Sequence, residues 1–219
     1  MSETPGMPPF ARRMRIEHVT DRIILSCGLF LSIVGAGWLL ALVVRDADGF
    51  RGWSCGVYGG ALVLMYLCAT LYHWMPDPRP RSFLRIIDHC AIYVLIAGTY
   101  TPFTLPNFSA GWARSTLVLM WLMVAVGIIF KLVWIGRTER FSLLLYLAMG
   151  WSALAVMHPL SASVSPVVFR LIVAGGLLYS LGAVIYAWKA LPFRLPVWHL
   201  FVIAGSAVHF AAVASYLMA

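Results

Sequence analysis

Residues 86–103 read IIDHCAIYVLIAGTYTPF, and this stretch decides the class of the molecule. Asp88 and His89 stand at the mouth of an otherwise apolar segment that closes on Thr99-Tyr100-Thr101-Pro102. An ionisable pair at the edge of a membrane-length helix is expensive to desolvate, which makes it a candidate site. Working outward, the question is which other polar groups reach the same depth.

The 219 residues are 62% hydrophobic and 11% charged. A water-soluble domain carries about 25% charged residues, so this chain cannot cover a water-facing surface and reads as an integral membrane protein. The excess of 16 Lys and Arg over 8 Asp and Glu follows from the habit of membrane proteins of placing positive charge in cytoplasmic loops. No nucleic-acid partner is expected. Cys27, Cys55, Cys68 and Cys90 lie in or beside apolar runs without CxxC spacing, and read as small packing residues.

Seven apolar segments follow a mostly polar start, at 23–44, 53–72, 86–105, 114–134, 142–157, 167–188 and 197–218. A span needs about 20 residues; six segments fit and the fifth is short. The expected organisation is an amino-terminal segment, 1–22, and a seven-helix transmembrane domain, 23–219. Thr20-Asp21-Arg22 reads as a helix entry with Thr20 as cap. The short connectors hold turn residues, such as Pro76-Asp77-Pro78-Arg79-Pro80, and leave no room for a soluble partner domain.

Orientation follows from the positive charges. Arg12, Arg13, Arg15, Arg22, Arg79, Arg81, Arg85, Lys131, Arg137, Arg140, Lys189 and Arg194 fall on one side. Arg45, Arg51, Arg114 and Arg170 fall on the other. This bias puts the amino terminus in the cytoplasm and, with seven spans, the carboxyl terminus outside. Gly56 and Gly60 in GxxxG spacing suit close helix packing in lipid.

Helix two ends on Leu71-Tyr72-His73, helix three begins near Asp88, and helix seven begins near Trp198-His199. Two imidazoles and one carboxylate thus reach one level from three distant helices. Imidazole and carboxylate are ordinary zinc ligands, and three protein ligands plus water make a catalytic zinc site. A carboxylate outside the metal's ligands could orient that water or act as general base. Singly, each residue reads as interfacial, with Asp88 capping helix three or pairing with Arg85. Together they favour a shared site.

His89 is turned about 100° from Asp88. His209 lies about 15 Å beyond His199 along its helix and cannot share the metal. His158 and His18 are expected to be solvated.

The stretches ATLYHWMP, LRIIDHCAIYVLIAGTYTPF, GGLLYSLGAVIYAWK and WHLFVIAGSAVHF carry a family likeness. The chain resembles the hemolysin III group of the progestin and adipoQ receptor (PAQR) superfamily, whose eukaryotic members include the adiponectin receptors. The resemblance implies an all-α, seven-transmembrane bundle with its amino terminus inside, in a bacterial inner membrane, acting on or sensing membrane lipids. It implies zinc near the cytoplasmic face, with His73 and His199 as ligands and Asp88 acting through water or entering the ligand set.

Two positions depart from the family pattern. Leu195 stands where a second helix-seven histidine is expected, and Ala69 stands where the family has a serine. The implied activity is membrane-lipid homeostasis or sensing. Hydrolysis of a lipid amide by metal-bound water, with Asp88 as catalytic residue, is the alternative, so enzymatic activity stays open. A pore-forming cytolysin is the weakest reading, because no helix shows the continuous polar stripe a conducting path needs.

Overall fold

The computed structural model describes residues 8–44, 49–133 and 139–219. Arg45 to Asp48 and Trp134 to Thr138, which carry most of the first and fourth connectors, lie outside these residues. Their contributions to the charge count, Arg45 and Arg137, lie outside with them, as does the side chain of Arg140.

Every regular element among the described residues is helical. In chain order they form α1 (Pro9–Val43), α2 (Gly49–Trp74), α3 (Pro78–Thr104) and α4 (Gly111–Val133). After these come α5 (Glu139–Trp151), a 3₁₀ segment (Ser152–Val156), α6 (Met157–Ser163), α7 (Pro166–Ala187) and α8 (Arg194–Leu217). Seven stretches are long and apolar enough to cross a membrane. α5, the 3₁₀ segment and α6 together supply one of them, Phe141–Ser163.

Three elements differ from the sequence expectation. α3 starts at Pro78 rather than near Asp88, so Asp88 lies well inside the helix and does not cap it. α1 starts at Pro9 rather than near Thr20, so Thr20 lies inside the helix and caps nothing. Pro8 and Pro9 open it, Pro at the first helical position being preorganised for that role. At 35 residues, α1 is about 52 Å long. The hydrocarbon layer is about 30 Å thick, so part of α1 extends past it. The fifth span is longer than expected because it breaks and resumes: tight 3₁₀ turns replace α-helical ones from Ser152. Pro159 then sits in the first turn of the short α6, where its missing N–H costs no hydrogen bond.

Outward faces carry apolar side chains such as Phe30, Leu122, Ile129 and Val184, all exposed as lipid-facing residues must be. The inward face of α1 is marked by Asp21, Leu25, Ser32 and Leu39, all buried. α2 packs between α1 and α3, α3 against α4, and α7 along α8, which also meets α1. α5 and α6 touch their neighbours only lightly.

One end of this bundle gathers the middle of α1, the end of α2 and the starts of α3 and α8. Asp77 caps α3, its side chain accepting from the Arg79 N–H at 3.1 Å, with Pro78 next in line. Lys131, counted above among the positive charges of the cytoplasmic side, lies in the last turn of α4, buried, with Nζ 3.2 Å from Ser142 Oγ.

Candidate functional site

The site is built on a carboxylate that sequence reasoning passed over. Asp21 is 2% exposed. Its Oδ1 accepts from His199 Nδ1 at 2.6 Å, and its Oδ2 lies 2.5 Å from His73 Nδ1. The second contact is short but lacks hydrogen-bond alignment, so Oδ2 is a buried oxygen without a properly placed donor. The two imidazoles meet edge to face, with ring centroids 5.1 Å apart. The expected pairing of His73 with His199 is therefore present, with Asp21 between them.

Long-range bonds hold this arrangement. Arg22 Nε donates to the carbonyl of His73 at 2.9 Å, filling one of the acceptors that a helix end leaves open. Its guanidinium also lies over the Trp74 ring, at 5.3 Å. Thr70 Oγ1 donates to the Leu25 carbonyl at 3.3 Å.

Glu17 accepts from the Phe193 N–H at 3.0 Å, tying α1 to the residue before α8. Phe193 is left-handed, with φ of 55°, a conformation that costs a non-glycine residue about 1–2 kcal/mol. The Glu17 contact helps hold that turn, and the turn aims the first helical rungs of α8, including His199, at Asp21.

Asp88 lines the same cavity as His73 and His199. Its Oδ2 lies 3.7 Å from His89 Nδ1, beyond hydrogen-bond range. His89 instead directs Nδ1 at the Arg85 carbonyl, 2.6 Å away. Ala69 and Leu195 also line the cavity, so the two departures from the family pattern face the site. His158 and His18 are exposed.

The cavity has a volume of about 400 Å³, within the range of small-molecule sites. It runs from Arg85, Arg194 and the Asp21 cluster past Tyr179 and His209 to Thr104 and Trp112. α3, the broken fifth span, α7 and α8 supply most of its wall.

The residues fit a zinc ion in kind. Two ligands of one tetrahedral zinc stand about 3.3 Å apart, so the shorter Asp21 contacts are those of a carboxylate behind the imidazoles rather than beside them on a metal. That arrangement leaves each Nε2 for a ligand. Metal-binding histidines commonly present their other ring nitrogen to a carboxylate in this way. Among the described residues, no three His, Cys, Asp or Glu side chains stand at metal-holding spacing.

Asp21 had a readable signal. Asp21, Leu25, Gly28, Ser32 and Leu39 share one inward stripe of α1, so an acid lies in register with the apolar face.

Seven apolar spans around an inward polar cluster define a polytopic helical membrane protein. The sequence matches the family described as Haemolysin-III related over residues 24–210, and the chain belongs to that family. It is 38% identical over 200 residues to a Hemolysin-3 homolog of Bacillus subtilis, covering 91% of this chain and 94% of that one. It is 37% identical to Hemolysin-3 of Bacillus cereus over 202 residues, 92% of each chain. The human Monocyte to macrophage differentiation factor is 29% identical over 209 residues, 92% of this chain and 84% of that protein. No solved structure matches.

Proposed function

We propose that the chain binds a membrane lipid in its cavity and acts in lipid homeostasis or sensing, through a zinc site at the cytoplasmic end of the bundle. One observation carries the reading: Asp21 meets Nδ1 of both His73 and His199 while both rings line the cavity with Asp88. His73 and His199 would hold the metal, and Asp88 would join them or act through water. Asp21 fixes the His199 ring in orientation and tautomer from behind and stands against Nδ1 of the His73 ring. Arg85 and Arg194, at the same end, offer positive charge to an anionic head group.

Zinc bound there would supply a Lewis acid and a water of lowered pKa. Asp88, with no hydrogen bond to His89, is the group suited to take a proton from a nucleophile. That supports the second reading, hydrolysis of a lipid amide. Leu195 and Ala69, apolar at two cavity positions, weigh toward sensing over turnover. The setting proposed is a bacterial inner membrane, with lipids as partners.

Elemental analysis of detergent-purified protein tests the metal. The expected result is about one zinc per chain, lost in His73→Ala and in His199→Ala, and kept in His209→Ala. Partial loss in Asp88→Ala would place that carboxylate among the ligands. No zinc in the unmodified protein after zinc is supplied, or equal loss in His209→Ala, overturns the site as placed. Product analysis with a ceramide-type amide then separates turnover from sensing.

A further inference from the structure

The same cavity has a second polar region, remote from the Asp21 cluster and different in chemistry. His209 is 7% exposed. Its Nδ1 lies 3.0 Å from the Gly205 carbonyl, which can only accept, so Nδ1 carries a proton. In the neutral ring Nε2 is then a bare acceptor. The ring stacks on Tyr179, with centroids 5.3 Å apart and planes at 18°. Gly175 backs it: a Cβ there would run into the His209 Nδ1 and Cε1 atoms, so the absence of a side chain seats the imidazole.

Beside the ring, Tyr66 Oη donates to Ser206 Oγ at 3.1 Å, and Tyr179 Oη pairs with the same Oγ at 2.9 Å. Three hydroxyls bring three protons, and these two bonds use two of them. Tyr66 donates to Ser206, whereas either oxygen can donate in the Ser206–Tyr179 bond; with Ser206 as its donor, the unused proton is the one on Tyr179. Tyr179 and His209 both line the cavity. One free acceptor and one surplus donor, side by side, match a hydroxyl group, which gives one hydrogen bond and takes one.

We propose that His209 and Tyr179 form a subsite that selects lipids carrying a chain hydroxyl, about 15 Å from the group held at His199. The subsite rests on the reading of the cavity as a lipid site and adds a substrate class to it: hydroxylated acyl chains over plain ones. Ile172, Val173 and Val202 present apolar faces to a chain. The hydroxyls of Thr99, Thr104, Thr116 and Ser180 that also line the cavity already donate to carbonyls of their own helices. A chain hydroxyl placed against the apolar part would therefore lose its hydration without return.

The test uses the full chain in detergent and two probes, stearate and a hydroxystearate with its hydroxyl near mid-chain. The unmodified protein is expected to bind the hydroxylated acid about fivefold more tightly. Moving the hydroxyl next to the carboxylate should abolish the advantage. His209→Leu should bring the two affinities together while stearate affinity stays within about twofold, which also shows that the variant is folded. Tyr179→Phe, which keeps the ring and loses the donor, should reduce the preference.

Equal binding of both probes by the unmodified protein overturns the subsite and leaves the cavity reading standing. A preference that survives in both variants also overturns it. Failure of both probes to bind removes the cavity reading and the subsite together.

Discussion

The first turns of α8 and its middle each carry a histidine buried against other helices, yet the two regions solve different problems. At the start, His199 shares one carboxylate with His73, three helices contribute, and an oxygen of that carboxylate lacks an aligned donor. In the middle, His209 is paired to its own helix, and Tyr66, Tyr179 and Ser206 complete a neutral network. A charged group held with incomplete satisfaction is costly unless something else completes it. A neutral, nearly satisfied network costs little and favours a defined conformation. The contrast marks the first region as the place for chemistry or metal, and the second as a place for recognition.

The largest expected effect comes from removing the shared carboxylate. Asp21→Ala leaves both imidazoles without their Nδ1 partner in a buried site, and should destabilise the chain by about 3 kcal/mol. Thermal unfolding in detergent would show this as a fall of several degrees. Zinc affinity should fall by about 10- to 100-fold, the usual consequence of losing a carboxylate behind a metal-bound histidine. If Asp21→Ala instead matches the unmodified protein in both, Asp21 is a bystander and the contrast between the regions disappears.

A smaller effect is expected at the middle of α8. Gly175→Ala drives a methyl group into the His209 ring. Overpacking of this kind costs about 1–3 kcal/mol, read by the same unfolding experiment. Zinc content should be unchanged, because Gly175 touches the second region only. Loss of zinc in Gly175→Ala would show that the two regions are coupled rather than separate.

The bundle was legible in the sequence because membrane spans leave a strong signal: long apolar runs, short connectors and charge bias. His73 and His199 could be placed at one level by counting turns from the segment ends, and their rings meet. Asp88 lines the same cavity but stands well inside α3, which starts at Pro78 rather than near Asp88. Asp21 was missed because Thr20-Asp21-Arg22 has the composition of a helix entry. That local cue outweighed the stripe that puts Asp21 in line with Leu25 and Ser32. The break in the fifth span had a weak cue in Pro159, but the 3₁₀ turns begin several residues earlier, at Ser152. Ring orientation was beyond reach altogether. Only packing against Gly175 and Tyr179 decides which nitrogen of His209 meets its own helix.

The smallest effect separates two tyrosines within the second region. Tyr66 donates to Ser206 Oγ at 3.1 Å, whereas Tyr58 reaches the Ser206 carbonyl only at 3.5 Å. That carbonyl lies inside α8, where the backbone ladder already gives it a partner. Tyr66→Phe removes a donor from the hydroxyl network and should cost about 1 kcal/mol. Tyr58→Phe removes a marginal contact from a fully buried ring whose packing is unchanged, and should cost less than about 0.5 kcal/mol. Unfolding of the two variants side by side reads the difference directly, since each loses a single oxygen from a buried ring. If Tyr58→Phe is the more costly, the network is organised around the Ser206 carbonyl rather than its hydroxyl. The proton count that gives Tyr179 its surplus donor would then have to be redrawn.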